Sequence, residues 1–308
     1  MTLRRLALTS CALTAPALIL ALGSMSCSKA TSQAGDPSPE EAGTPFGKPE
    51  GGTAKPLPVC ADDNKDVFVI AEDRSFYSFH PPTGEFKNKG LLDCPTGGAT
   101  PTSMAVDRSG IAWVRHSDGS VWKVSTATLA CEATKFQPQA ESFTKFGMGF
   151  ATETKGGSTE TLYLSDSTGA GLARLNTGSL ALDFIGPYTG ELAGTASELT
   201  GTGDGKLYGF FVTSPAQLAE ISKATGDVVS AKQLTNVYAG SAWAFSFYGG
   251  DFFIYTNAAG SGLPKDAAGS DVTRYRPSDG SITVVKTKIG FKIVGAGVST
   301  CAPTTSPR

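Results

Sequence analysis

Residues 103–125 read SMAVDRSGIAWVRHSDGSVWKVS, and this stretch decides the fold. Three short apolar or alternating segments, at 104–106, 111–114 and 121–124, are separated by the turn sequences DRSG and DG. Segments of this length that are rich in β-branched and aromatic residues and bounded by Asp and Gly are typical of strands joined by tight turns. The stretch therefore predicts a three-stranded antiparallel meander.

The third segment of this unit, a strand followed by a small turn, recurs along the chain. The five copies are SFYSFHPPTG (75–84), SVWKVSTAT (120–128), GLARLNTG (171–178), QLAEISKATG (217–226) and DVTRYRPSDG (271–280). Their turns end about 44 to 54 residues apart, which is the length of one four-stranded propeller blade. The repeat predicts five blades.

The strands around each copy support this interpretation. An aromatic strand precedes each copy, another strand follows it, and in four of the five units a strand of small residues comes first. The small-residue strand is innermost in a propeller, where neighbouring strands crowd the axis and bulky side chains would clash. Such strands and their ends carry Gly147, Gly149, Gly201 and Gly203.

The two ends of the repeat array complement each other. The first unit starts directly with its aromatic strand at 66–72, and the last segment, IVGAGVS at 293–299, has no aromatic strand after it. Pairing these two segments would complete the first blade and remove two exposed sheet edges. The predicted fold is thus an all-β, five-bladed β-propeller of four-stranded blades, closed by the C-terminal strand pairing with the first blade.

The N-terminus has the layout of an export signal. Arg4 and Arg5 precede an apolar segment at 6–22, and small residues lead up to Cys27. Residues 28–57 are rich in Pro, Gly, Ser, Thr, Ala and Glu, so they cannot bury a core and are expected to form a tether. The predicted organisation is a signal peptide at 1–26, Cys27 and a disordered tether at 27–57, the propeller at 58–303 and a tail at 304–308.

The position of Cys27 resembles that of the lipidated cysteine of bacterial lipoproteins. Removing the signal leaves an odd number of cysteines, and acylation of Cys27 accounts for the extra one. By the same resemblance, Ser28 in place of Asp implies the outer membrane as the destination. The alternative is a plain secreted protein with Cys27 unmodified.

The remaining cysteines test the closure of the ring. Cys301 ends the last strand and Cys60 precedes the first, so a Cys60–Cys301 disulfide is predicted. The order of the strands places Cys94 after the fourth strand of blade one and Cys131 early in the fourth strand of blade two, at opposite ends of neighbouring blades. They either pair, if the loop at 95–102 folds back, or remain two free thiols.

Several strings resemble those of predicted lipoproteins from myxobacteria that have no assigned activity. They are SMAVDRSGIAWV, FGMGFATE, SELTGTGDGKLYGF, WAFSFYGGDFFIY and IVGAGVSTCAP. More loosely, AVDRSGIAWV followed by DGSVWKV is similar to repeats of bacterial sensor, NHL-type and quinoprotein-like propellers. The resemblance implies a propeller and carries over no catalytic residue.

Candidate ligand-binding residues are expected where the loops of the blades converge at one end of the axis. They are Glu198, Trp243, His116, Asp166 and Glu191. Glu198 is the first choice, because a carboxyl group in a small, apolar inner strand is costly without a partner. Asp166 equally suits a turn, His116 a turn cap, and Trp243 core packing.

Known chemical motifs do not assign an activity. The chain has no CxxC and only two histidines, so a zinc site is not expected, whereas carboxylates at the axial end could hold Ca²⁺. The formal net charge of -2 gives no reason to expect nucleic acid as a partner. The sequence favours a monomeric, envelope-anchored, non-catalytic module that binds a protein, peptide or glycan. The alternatives are a hydrolase or lactonase-like enzyme with a metal-binding carboxylate cluster at the axial mouth, and a purely structural propeller.

Overall fold

In the part of the chain that the structure describes, twenty strands form five antiparallel sheets of four strands each. The computed structural model describes Cys60 and residues 65–138, 142–257 and 269–306. The predicted signal peptide, Cys27 and the tether lie outside the described residues. Within those residues, no helix is long and apolar enough to cross a membrane.

The strands follow one another as the repeat predicts. In chain order they are β1 (Val67–Ala71), β2 (Ser75–His80), β3 (Glu85–Leu91), β4 (Pro101–Val106), β5 (Ile111–His116), β6 (Val121–Ser125), β7 (Cys131–Ala133), β8 (Phe146–Thr152), β9 (Glu160–Asp166), β10 (Leu172–Leu175), β11 (Leu182–Gly186), β12 (Ser197–Gly201), β13 (Leu207–Phe211), β14 (Gln217–Ile221), β15 (Val228–Gln233), β16 (Ala242–Tyr248), β17 (Asp251–Asn257), β18 (Asp271–Arg276), β19 (Ser281–Lys286) and β20 (Ile293–Val298). From the innermost strand outward, blade one is β20-β1-β2-β3, and blades two to five are β4–β7, β8–β11, β12–β15 and β16–β19. The chain is a five-bladed β-propeller, as predicted.

Blade one joins the two ends of the propeller. Strand β20 pairs antiparallel with β1, with Val67 opposite Val298 and Ile70 opposite Gly295. The inner strands contact one another in the order β20, β4, β8, β12, β16 and back to β20. The predicted closure of the ring by the C-terminal strand is confirmed.

The inner strands approach so closely that side chains are excluded at several glycines. A Cβ atom on Gly201 would lie 2.1 Å from the Phe150 carbonyl oxygen, and one on Gly147 would lie 2.4 Å from the Ser197 carbonyl oxygen. The space left among the inner strands of blades one to four does not admit a water molecule. At this level the axis is packed solid, as expected from the small residues of these strands.

Most of the apolar core lies between neighbouring blades rather than inside a single sheet. Strand β1, VFVIA, is buried along its whole length because both of its faces are covered. The outer strands carry mostly exposed residues, as in β15, where five of the six are exposed. This gradient from the axis to the rim accounts for the apolar second strand and the polar fourth strand of each unit.

The predicted Cys60–Cys301 disulfide is present, and Cys94 and Cys131, whose pairing the sequence left open, form a second one. Cys60 and Cys301 have Cα atoms 5.4 Å apart, and so do Cys94 and Cys131. The alternative of two free thiols at Cys94 and Cys131 is therefore wrong.

The twist of the sheets explains how Cys94 and Cys131 meet. Strand twist accumulates across a blade, so an outer strand is strongly rotated relative to the inner one. As a result, the end of β3 reaches the turn between β6 and β7 of blade two. A Cβ atom on Gly90, near the end of β3, would lie 2.8 Å from Leu129 Cδ1 in that turn.

Candidate functional site

The end of the propeller at which the five inner strands begin is called the mouth below. Strand β12 places Glu198 there, with 8% of its surface exposed. Ser103 Oγ donates a hydrogen bond to Glu198 Oε2 at 3.0 Å, and the Met148 backbone N–H donates another. Burial raises the pKa of Glu198 to about 8, against the opposing effect of these hydrogen bonds and of the Arg115 charge. A neutral Glu198 therefore links the inner strands of blades two, three and four.

Arg115, next to this group, is buried and donates hydrogen bonds through both Nη atoms, whereas its Nε has no hydrogen-bond partner among the described residues. Its Nη1 donates to Thr102 Oγ1 at 2.6 Å, its Nη2 donates to the Thr144 carbonyl oxygen, and its guanidinium lies 5.4 Å from the centre of the Phe146 ring. Burial lowers the pKa of Arg115, and only the ionised form of Glu198 would act in the opposite direction. The arginine holds the entry to blade three and presents 3% of its surface to solvent.

His116 and Asp166 end strands β5 and β9 at the mouth, and both are buried. Burial lowers the pKa of His116, and its Nδ1 has no hydrogen-bond partner among the described residues. Asp166 accepts hydrogen bonds from the Phe143 N–H at 2.5 Å and from Thr168 Oγ1 at 2.6 Å, so it organises the loops beside it.

The other two predicted residues are Trp243, near the start of the inner strand β16 at the mouth, and Glu191. Trp243 is half-buried against a cluster of blades four and five that includes Phe210 and Phe245. Glu191 is exposed on the short 3-10 helix Gly190–Leu192. In the part of the chain that the structure describes, no three His, Cys, Asp or Glu side chains converge in a way that could hold a metal ion.

Sequence reasoning missed a polar cleft at the boundary of blades two and three. It has a volume of about 710 Å³, and its lining includes Asp107 and Glu160. Burial raises the pKa of Glu160 to about 7, with a smaller contribution from the Asp107 charge. Both oxygens of Glu160 are engaged, with the Arg108 backbone N–H and with Thr300 Oγ1, each at 2.7 Å. These partners are up to 140 residues away in sequence, so no local pattern could have indicated them.

Sequence reasoning also missed an aromatic cleft between blades one and five, with a volume of about 450 Å³. The rings of Tyr77 and Phe291 stack with centroids 4.1 Å apart, and Phe86 meets Phe291 edge-on at 5.5 Å. All three side chains are half-buried, and the cleft ends at the exposed residues Asn88 and Lys286. Tyr77 and Phe291 are more than 200 residues apart in sequence, so only ring closure brings them together.

The comparisons with known proteins reach no further than the fold. No protein-family model matches the chain, and no curated protein matches it. Solved structures similar to it are β-propeller proteins. A luciferin-regenerating enzyme is 10% identical, with 76% of this chain and 92% of that one covered and a TM-score of 0.43. The calcium-binding protein regucalcin from Agrobacterium tumefaciens is 12% identical, covering 75% and 74% with a TM-score of 0.41. A glutaminyl cyclase from Myxococcus xanthus is 14% identical, covering 61% and 88% with a TM-score of 0.41. None of these similarities bears on what this chain binds.

Proposed function

We propose that this chain is a non-catalytic binding module of the cell envelope, a propeller that recognises a protein, peptide or glycan through its surface. The observation that carries the proposal is the state of the polar groups at the mouth. Glu198 and Asp166 accept hydrogen bonds from neighbouring strands and loops, and Arg115 donates through both of its Nη atoms to Thr102 and Thr144, while its Nε is buried without a partner among the described residues. A catalytic acid or base must instead reach a substrate proton directly.

Two features support a binding role over a purely structural one. The aromatic cleft keeps three large rings only half-buried, although such rings usually dominate core packing. Its volume of about 450 Å³ lies in the range of ligand pockets, which are lined mainly by apolar and aromatic side chains with a few polar groups. A propeller that served only as a scaffold would gain stability by covering these rings.

The proposed location rests on the N-terminal sequence and on the cysteines. Two disulfides in one domain suit an oxidising compartment outside the cytoplasm. Cleavage before Cys27 and acylation of that cysteine would tie the propeller to the outer membrane through the tether at 28–57.

A binding screen tests the function directly. The purified full-length chain is applied to arrays of glycans and of peptides, and in parallel to a panel of ester, lactone and glycoside substrates with added Ca²⁺. Saturable binding without turnover is the expected result. Turnover that survives repurification and is lost on adding a chelator would overturn the non-catalytic role.

Mass spectrometry of the mature N-terminus tests the anchor. The wild-type chain, expressed in a Gram-negative host, should yield an N-terminal peptide that begins at Cys27 and carries acyl chains. Cys27→Ala should abolish the modification and release the protein from the membrane fraction. An unmodified Cys27 in the wild-type chain would reject the anchor and leave the secreted alternative.

A further inference from the structure

We infer that the aromatic cleft between blades one and five binds an acidic glycan, a polysaccharide that carries carboxylate groups on its sugar rings. The cleft is defined by Tyr77, Phe86 and Phe291, with Asn88, Lys286 and Thr287 at its rim. The inference rests on the proposed binding function and gives it a site and a ligand class.

The rings of the cleft are held in place before any ligand arrives. Tyr77 and Phe291 are nearly parallel, with an interplanar angle of 5°, and Phe86 stands at 87° to Phe291. Behind them, Phe86 stacks on the fully buried Phe79 with ring centroids 4.5 Å apart. Side chains that are already fixed lose little conformational entropy on binding, so the cleft is preorganised.

The lining of the cleft consists of side chains, which favours a glycan over a peptide. Strand β2 lies between β1 and β3, with Tyr77 opposite Asn88 and Phe79 opposite Phe86 on β3. The backbone of β2 is therefore occupied by its two neighbours, so an added peptide strand, the mode in which an extended peptide usually binds a sheet, could pair only with the outer edge of β3 and not with the strand that carries Tyr77. Aromatic faces carry partial negative charge and attract the C–H groups on the face of a sugar ring.

The rim of the cleft supplies polar groups of the kind that fix a sugar in orientation. Asn88 offers the N–H groups of its amide, whose Oδ1 already accepts the Gly90 backbone N–H at 2.7 Å, and Thr287 offers a hydroxyl; both side chains are exposed. Sugar hydroxyls can donate to and accept from such groups.

The charge at the rim selects for an anion. Lys286 lines the cleft and Lys288 lies beside it, and both are exposed. One carboxylate, that of Asp271 at the start of β18, contacts this loop, and its Oδ1 accepts the Lys288 backbone N–H at 2.8 Å. By contrast, three carboxyl groups line the polar cleft of blades two and three, those of Asp107, Glu132 and Glu160, together with one lysine, Lys123. A carboxylate-bearing ligand thus complements the aromatic cleft and would be repelled from the polar one.

Polygalacturonate and its fully methyl-esterified form are suitable probes, because they share a backbone and differ in charge. Their binding to the full-length chain is measured by calorimetry at low ionic strength, together with poly-glutamate as an acidic polypeptide. We expect polygalacturonate to bind about tenfold more tightly than either of the other two, with an affinity that falls as salt is added.

Two variant pairs assign this binding to the cleft. Lys286→Gln with Lys288→Gln should weaken polygalacturonate about tenfold, whereas Lys135→Gln with Lys232→Gln, which removes the same charge from exposed sites on blades two and four, should leave it unchanged. Phe291→Leu keeps apolar volume but removes the ring and should also weaken binding, while Phe184→Leu, at an exposed ring on β11, should not.

Each outcome separates the two proposals. Equal loss from both lysine pairs, or equal affinity for the methyl ester, would overturn the acidic-glycan site and leave the binding module standing. Tighter binding of poly-glutamate would overturn the glycan in favour of an acidic polypeptide. Absence of binding to all three polymers would overturn the site, and the proposed function would fall with it only if the wider glycan and peptide arrays were also negative.

Discussion

Cys60 and Cys301 are 241 residues apart in sequence, yet their Cα atoms lie 5.4 Å apart in the disulfide that joins the two ends of the propeller. On the chain-entropy model, a bridge of this span is worth about 5 kcal/mol, and one closing the 37-residue separation of Cys94 and Cys131 about 4 kcal/mol. We expect the double variant Cys60→Ser and Cys301→Ser to lower the free energy of unfolding, measured in urea, by several kcal/mol.

The same measurement on Cys94→Ser with Cys131→Ser serves as the comparison. The Cys94–Cys131 disulfide joins the outer edges of blades one and two and does not hold the closing strand. Its removal should therefore lower the free energy of unfolding by less than removal of Cys60–Cys301 does. A larger loss from the Cys94 pair would mean that the blade edges, and not the joined chain ends, limit the stability of the ring.

Gly201 gives the sharpest test of the packing around the axis. A methyl group there would lie 2.1 Å from the Phe150 carbonyl oxygen, and backbone cannot retreat as a flexible side chain can. We expect Gly201→Ala to destabilise the fold by about 3 kcal/mol or more, seen as a lower Tm. At Gly178 a methyl group would meet only the end of the Asn176 side chain, at 3.4 Å. Gly178→Ala should therefore leave Tm within a few degrees of the wild type.

Much of this fold is readable from the sequence because a propeller is a local repeat. Each blade is a meander of neighbouring strands, so turn residues and alternation indicate it without long-range information. Gly147 and Gly201 followed from the crowding of the inner strands, and the Cys60–Cys301 pair followed from the missing strand of blade one.

The contacts between blades were not predictable in this way. Glu160 reaches Thr300 across 140 residues, and Tyr77 reaches Phe291 across the closure of the ring. Such pairs depend on how far each sheet twists, a property that no single strand reveals. The same twist brings Cys94 to Cys131, which the flat picture of the blades had placed at opposite ends.

Glu198 should make the stability of the propeller fall as pH rises. Its pKa is raised from 4.5 to about 8 by burial, so the folded state holds a proton that the unfolded chain has already lost. The stabilisation of the folded state by this bound proton is complete below about pH 4.5 and is lost progressively as pH rises through 8. Glu198→Gln cannot ionise, so it should be more stable than the wild type at pH 9, by on the order of 5 kcal/mol, and similar at pH 4.5.

Chemical denaturation at both pH values measures this difference. Glu191→Gln, at an exposed position on the 3-10 helix, provides the control and should reproduce the pH dependence of the wild type. If Glu198→Gln declined with pH as steeply as the wild type, Glu198 would not be the group that titrates.

Thr300 connects three blades at the end of the propeller opposite the mouth. Its Oγ1 accepts a hydrogen bond from Arg108 Nη1 at 3.1 Å and donates to Glu160 Oε2 at 2.7 Å. Thr300→Val keeps the shape and removes both bonds, so we expect a loss of about 1–3 kcal/mol in the free energy of unfolding.

This loss should depend on pH through Glu160. The hydrogen bond from Thr300 lowers the pKa of Glu160, which lies at about 7, so it favours the ionised form. The loss should therefore be greater at pH 8.5, where Glu160 is ionised, than at pH 5, where it is protonated. Thr283→Val, at an exposed site on β19, is the matched control and should cost little at either pH. A loss from Thr300→Val that is independent of pH would show that Thr300 acts through Arg108 or packing and not through the Glu160 carboxyl group.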